Sequence, residues 1–443
     1  MHWHETGRFR QVCPLLHSAP NGWRCSVAAV DVRPFWGRAF GVYTGLLLLL
    51  ALFTGGVSYG VLRLTVGPGV SLPMVFWPGR WPEIRTAQAR AFQDRAAAAI
   101  SRRAYKEAVL ALASSLERDP DNYEAALLLA QISEFQENHE YADRMFLRLL
   151  QDFPDRHQRT AVVYHDTLLA LGRTEQLAAF SLRLALTDTE RVAVWVRSLL
   201  LALRSRDATP AFFERNRADI DRLPEHAARL VRAVGSITAG DEAAAVKSLR
   251  EFFPGPWNPV YIQQQISLLM QLGRADAAEV LLLYYSGALS GLDQTLLAYA
   301  IDQRLGRLTV ARDDFRLALR RPGAELRSVR LAAALIDYPD RNAFAELNHL
   351  MTGNPARRAT ADPVAMWLAA LSCDATLEAD LWATEAHARL HLTLPPIRRV
   401  NYASRSFEDP GSPGHLINTL PLDRELIYLL VEKAIARPRT PGR

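Results

Sequence analysis

The chain has 443 residues, 49% of them hydrophobic and 22% charged, a composition that excludes extended disorder. Its formal net charge of +5 is carried wholly by residues 1–82, where seven arginines meet two acids, Glu5 and Asp31. From Glu83 onward 45 basic residues meet 45 acidic ones, so this part lacks the basic excess with which a nucleic-acid binder neutralises phosphate.

Residues 1–38 contain Arg8, Arg10, Arg24, Arg33 and Arg38, and read as a poorly ordered, cytoplasmic segment. From Ala39 to Leu62 there are 24 residues without a formal charge, including the run Leu46–Leu50. At about 1.5 Å per residue this stretch extends roughly 36 Å, enough to cross a hydrocarbon layer of about 30 Å with some tilt. It is too long for the apolar part of a signal peptide, and Ser58-Tyr59-Gly60-Val61 is a poor cleavage site, so an uncleaved transmembrane helix over 39–62 is expected. Phe35, Trp36, Phe40 and Tyr43 at one end, and Tyr59, Phe76, Trp77 and Trp81 toward the other, supply rings that favour the headgroup level. Two GxxxG patterns, Gly41–Gly45 and Gly56–Gly60, either let two spans pack as a homodimer or reflect only the frequency of glycine in membrane helices.

Five arginines precede the span and two, Arg63 and Arg80, follow it within 20 residues. The positive-inside rule then places the N-terminus in the cytoplasm and the rest of the chain across the inner membrane, in the periplasm of a bacterium. The bacterial host is an expectation from 49 arginines against three lysines. A cytoplasm-facing adaptor is the alternative orientation. The Pro- and Gly-rich stretch 63–82 reads as an interfacial linker, without regular helix over Gly67–Pro82.

Beyond it, alanine recurs at Ala108, Ala142, Ala178, Ala211, Ala245, Ala278, Ala311, Ala345 and Ala379, in steps of 33 to 36 residues. A second ladder lies about five or six residues ahead of the first: Gly172, Gly240, Gly273 and Gly306, continued by Asp340 and Asp374. Glycine reaches left-handed backbone angles freely and so suits the turn between two helices. A third ladder, Pro120, Pro154 and more loosely Pro256 and Pro322, closes the second helix of several units. The period is that of one helical hairpin, and predicts an all-α solenoid of stacked hairpins. Within Asn122–Pro154, Ala126, Leu129, Ala130 and Ile132 mark one helix face, and Tyr141, Ala142, Met145, Phe146, Leu149 and Leu150 a second.

These residues resemble the tetratricopeptide repeat family, most closely in Arg90–Asn122, Asn122–Pro154 and Leu292–Pro322. The resemblance covers 83–394, about nine units, although the usual tryptophan and leucine-glycine pair are mostly missing. It implies a concave groove lined by the first helix of each unit, which grips a peptide or partner helix. Carried onto this chain, the groove comprises Glu124, Leu127, Gln131, Glu134 and Phe135; Val260, Gln263, Ser267, Met270 and Gln271; and Asp293, Leu296, Ala300, Gln303 and Arg304. The lysine-asparagine clamp that some relatives use for a terminal carboxylate is absent.

Cys13, Cys25 and Cys373 have no metal-ligand spacing, and neither a GxSxG nor a phosphate-binding glycine loop occurs. No cofactor is implied and catalysis is not expected. The competing reading is a metal-dependent enzyme or metal-binding protein using His387 and His391, four apart on an expected helix. Residues 395–420 read as loop and 421–437 as an amphipathic helix with Leu426, Ile427, Leu430, Val431, Ala434 and Ile435 on one face. That helix either caps the last repeat or folds back into the groove. The sequence as a whole predicts a membrane-anchored scaffold that binds protein partners in an envelope or secretion complex.

Overall fold

The computed structural model describes residues 16–20, 22–25, 36–67, 69–204, 210–321, 327–353, 359, 362–402, 409 and 411–435. Arg8, Arg10, Arg33, Cys13, Pro322 and the end of the expected C-terminal helix lie outside them. The chain divides into two compact units, Met1–Thr160 and Ala161–Arg443.

Unit 1 opens with a β-hairpin in which β1 (Leu16–Ala19) pairs antiparallel with β2 (Gly22–Cys25), a departure from the all-α expectation confined, among the described residues, to eight. Helix α1 (Trp36–Val66) is longer at both ends than 39–62. Over Phe40–Val66 it is long and apolar enough to cross a membrane, and none of its apolar window is buried. A core helix of a soluble protein of that length would be covered.

The linker is not free of helix. Ser71 precedes a short helix α2 (Leu72–Phe76), whose Pro73 sits in the first turn, where its missing N–H costs no hydrogen bond. A 3₁₀ turn (Pro78–Arg80) then leads into α3 (Trp81–Ser101). The Phe76 ring lies against the α1 backbone at Gly55, leaving no room there for a Cβ. Arg95 donates to the Thr65 carbonyl at 2.6 Å, tying α3 to the end of α1.

Two hairpins follow in this unit, α3 with α4 (Tyr105–Arg118) and α5 (Tyr123–Phe135) with α6 (His139–Asp152). Alanine forms the seam because it is both the best helix former and small enough for close approach. Ala96 and Ala99 of α3 meet Ala108 and Leu112 of α4, and this cluster continues into Ala125, Leu129 and Ile132 of α5.

Unit 2 holds most of α7 (His157–Ala170), α8 (Thr174–Thr187), α9 (Val192–Leu203), α10 (Pro210–Arg215), α11 (Arg217–Asp221), α12 (Glu225–Thr238), α13 (Glu242–Arg250), α14 (Pro259–Gln271), α15 (Ala275–Tyr284), α16 (Gly291–Arg304), α17 (Leu308–Arg320), α18 (Arg327–Asp337), α19 (Arg341–Gly353), α20 (Asp362–Ser372) and α21 (Thr376–Leu390). Two helices end the chain, α22 (Pro413–Thr419) inside the stretch expected to be loop, and α23 (Arg424–Ile435). Helices α9 and α20 are apolar nearly all round and buried, but with 12 and 11 residues they are core helices.

One turn joins most of the helix pairs. Gly172, Gly240, Gly273 and Gly306 all have positive φ, between 65° and 85°, and so do Arg103, Glu137 and Asp374, between 56° and 60°. In each case the next amide bonds back across six residues: Ala104 to Ala99, Asn138 to Ser133, Arg173 to Leu168, Asp241 to Ser236, Arg274 to Leu269, Arg307 to Asp302 and Ala375 to Ala370, all at 2.8–3.0 Å. This is the Schellman closure, which satisfies a carbonyl that the helix end would orphan. Asp340 departs from the ladder: it caps α19 instead, accepting from Asn342 and Ala343 at 2.8 and 3.1 Å.

The alanine ladder is buried at Ala108, Ala142, Ala178, Ala245, Ala278, Ala311 and Ala379. Ala211 and Ala345 are exposed, and their neighbours Phe212 and Phe344 are buried in their place. The register slips by one residue in these two units, where a large ring fills what a methyl fills elsewhere.

Candidate functional site

The C-terminal helix α23 lies within unit 2 against the first helices of four hairpins, α7, α9, α14 and α18. Its Leu426, Tyr428, Leu430 and Val431 are buried, so Tyr428 joins the apolar face and the expected member Ala434 is exposed. The helix expected either to cap the last repeat or to fold back is placed against α7, α9, α14 and α18.

Polar contacts set its position. Arg197 of α9 donates from both terminal nitrogens to Glu425, each at 2.8 Å. Arg204, at the end of α9, donates to Glu432 at 2.6 Å and to Gln264 of α14 at 2.6 Å. Gln271 of α14 reaches the same Glu432 oxygen at 2.6 Å. Lys433 donates to the Ile336 carbonyl at 2.7 Å and stands 3.5 Å from Asp337 of α18. Arg424 holds Asp166 of α7 at 3.0 Å.

Between the two arginines the Tyr428 hydroxyl meets Ser198 at 2.5 Å, Ser198 meets His165 Nε2 at 2.7 Å, and His165 Nδ1 meets Asp166 at 2.9 Å. The order Asp166, His165, Ser198 is that of a hydrolytic triad. Ser198 and His165 are nonetheless fully buried, and the serine hydroxyl is engaged by the Val194 carbonyl at 3.1 Å and by Tyr428. With α23 seated the serine hydroxyl is enclosed, and the row is a buried polar clasp.

The electrostatics follow the pairing. Burial pushes the Glu425 carboxyl up, but the Arg197 hydrogen bonds and charge outweigh it and hold it below the usual carboxylate range. Burial likewise opposes ionisation of Asp166, yet His165 and Arg424 keep it low. Burial dominates at Asp337 and raises it despite Lys433, and it raises the Tyr428 phenol.

Of the groove residues named from the sequence, Gln271 contacts α23 directly. Met270 is buried, and Val260, Gln263 and Ser267 are half-buried on α14. On α16, Asp293 is buried and paired with Arg330, while Leu296 and Ala300 are half-buried. Gln303 lies 3.5 Å from Asp340, and Arg304 sits over the Tyr338 ring at 5.5 Å. In unit 1, Glu124 is bound by Arg159 at 2.5 and 2.9 Å, Leu127 and Glu134 are buried, Gln131 is half-buried and Phe135 is exposed. Glu134 is engaged by the His139 ring at 3.0 Å. Among the glycines of α1, a Cβ at Gly41, Gly45, Gly56 or Gly60 would meet nothing within 4 Å, while Gly55, outside both patterns, carries the close contact.

The two histidines do not share successive turns of one helix. Helix α21 stops at Leu390, and His391 turns left-handed at φ 52° to cap it. Glu385 pairs with Arg389. Among the described residues no group of three or more His, Cys, Asp or Glu is placed to hold a metal ion. Cys373 is buried, which pushes its thiol up to about 12.

Sequence reasoning missed Arg197, Arg204, Ser198 and His165 altogether, and singled out only the apolar face of the C-terminal helix. A signal existed in the equal seven-residue spacing of Arg197/Arg204 and Glu425/Glu432, but nothing in one sequence says which two helices meet. In comparisons with protein-family models and with curated proteins, no match to the chain was found.

Proposed function

We propose that this chain is a single-pass membrane scaffold whose helical hairpins, resembling tetratricopeptide repeats, stack as a solenoid and hold helical segments of partner proteins on their first helices. The observation that carries this reading is α23 itself: an amphipathic helix lies against first helices of four hairpins, held by the side chains of Asp166, Arg197, Arg204, Gln271 and Asp337 that project from them. Peptide recognition by a helix laid into a groove works in this way. The apolar, uncovered α1 supports the membrane anchor, and the arginine bias supports an N-terminus in the bacterial cytoplasm with the hairpins in the periplasm. The function is binding rather than catalysis, in assembly of an envelope or secretion complex.

Two measurements test it. Carbonate extraction of membranes should leave the chain in the pellet, and alkaline phosphatase fused after Arg443 should be active; a freely soluble chain overturns the anchor, and a fluorescent but phosphatase-silent fusion overturns the orientation. A partner recovered from detergent-solubilised membranes should be lost when Phe135 or Gln263 is replaced by aspartate. A partner set indifferent to both substitutions overturns the groove.

A further inference from the structure

The clasp around α23 is specific in a way that defines a ligand. Arg197 and Arg204 are seven residues apart, as are Glu425 and Glu432, and both pairs span 228 residues. Matching offsets mean that α23 runs parallel to α9, with two charge contacts about 10 Å apart along both axes. The Tyr428 hydroxyl enters the polar row of Ser198 and His165 between them. Arg204 is nearly enclosed, with 11% of its side chain exposed. Under a seated helix that lacked this carboxylate it would keep the neutral Gln264 amide and Leu200 carbonyl as partners, and a guanidinium enclosed without an opposite charge is costly. This face therefore requires an acidic occupant, although the residues from Glu83 onward are charge-neutral as a whole.

We propose that α23 is an internal stand-in for the partner: the face recognises an amphipathic helix from another protein bearing two carboxylates seven residues apart with a tyrosine three residues after the first, and that helix replaces α23. This rests on the scaffold reading above and specifies its ligand. The first helices hold their own chain through long polar side chains whose geometry any helix of that pattern reproduces. The resident helix raises the threshold for binding, so only a partner that matches both carboxylates and the tyrosine displaces it.

The test uses the full chain in detergent micelles and a fluorescein-labelled peptide of residues 421–437, read by anisotropy. Against a chain carrying Glu425→Arg and Glu432→Arg, the peptide should bind at least tenfold tighter than against the wild type. A peptide carrying the same two charge reversals, or Tyr428→Ala, should lose at least tenfold. Equal binding to both chains, or none to a charge-reversed chain of unchanged helix content, overturns the proposal. Should the charge-reversed chain not fold, hydrogen exchange on the wild type decides: saturating peptide should speed exchange of the α23 amides at least tenfold, and unchanged protection overturns displacement. Dimers formed by exchanged α23 helices between two wild-type chains would overturn the assignment to another protein's helix. Carbonate extraction and helix content are independent of all these readouts, so failure of the ligand assignment is distinguishable from failure of the anchored scaffold.

Discussion

Arg197 and Glu425 are joined by two 2.8 Å hydrogen bonds across 228 residues of sequence, a bidentate pair that fixes the C-terminal helix to the second hairpin of unit 2. The side chains are 28% and 37% exposed, so solvent screens the charge and the pair's contribution comes mainly from its fixed geometry. Arg197→Glu should lower stability by about 1–3 kcal/mol, the scale of charged hydrogen bonds. The swap Arg197→Glu with Glu425→Arg should recover most of it. A double-mutant cycle by denaturant unfolding measures this, and additivity of the two single changes would mean that the contact is not formed.

The slipped alanine register makes a sharper prediction than burial alone. Ala278 and Ala311 are both fully buried at the seam, so Ala278→Arg or Ala311→Arg forces volume and charge between helices and should cost several kcal/mol, about 3 or more. Ala345 belongs to the same sequence ladder but is exposed, and Ala345→Arg should change stability by no more than about 0.5 kcal/mol. Equal melting temperatures for the Ala311 and Ala345 variants would contradict the packing.

Three hairpin turns place residues with a Cβ in left-handed conformation: Arg103, Glu137 and Asp374. That conformation costs an L-residue about 1–2 kcal/mol, part of which glycine relieves. Glu137→Gly should therefore stabilise, by up to about 1 kcal/mol. At Gly240 and Gly306 a Cβ would meet nothing within 4 Å, so substitution there tests the backbone alone. Gly240→Ala and Gly306→Ala should each destabilise by about 1 kcal/mol in thermal melts.

These same turns show how far the sequence could be read. Gly172, Gly240, Gly273 and Gly306 announced their turns because glycine is selected where φ is positive; Arg103 and Glu137 adopt the same conformation and gave no sign, since the Schellman hydrogen bonds can carry a residue that tolerates rather than prefers it. Hairpin period and apolar α1 were legible from local spacing. The seat of α23 was not, because it depends on contacts between residues more than 200 positions apart, such as Arg197 with Glu425 and Ser198 with Tyr428. His387 and His391 were misplaced on one helix because the helix end at Leu390 falls between them, with no glycine to mark it.

A buried histidine and a half-buried aspartate give stability opposite slopes in pH. His226 stacks on Phe253 at 4.2 Å and meets Gln265 at 3.0 Å; burial dominates over that hydrogen bond and pushes its pKa down from 6.5 to about 4. The unfolded chain takes up this proton as pH falls through 6.5, the folded chain only near 4, so stability is lost with acidification across that window. His226→Gln should flatten the slope there. Asp314 behaves in the reverse sense, because burial, a hydrogen bond to Asp302 and the Asp302 and Asp313 charges raise it from 3.8 to about 6. As pH rises from 3.8 to 6 the unfolded chain releases the proton and the folded chain keeps it, so stability falls with rising pH. Asp314→Asn should therefore stabilise at pH 7.5 and have little effect at pH 3.5, where both states are protonated. Unfolding curves of the two variants between pH 3.5 and 7.5 check both signs, and a stabilisation by Asp314→Asn that is independent of pH would show that Asp314 does not titrate upward in the folded chain.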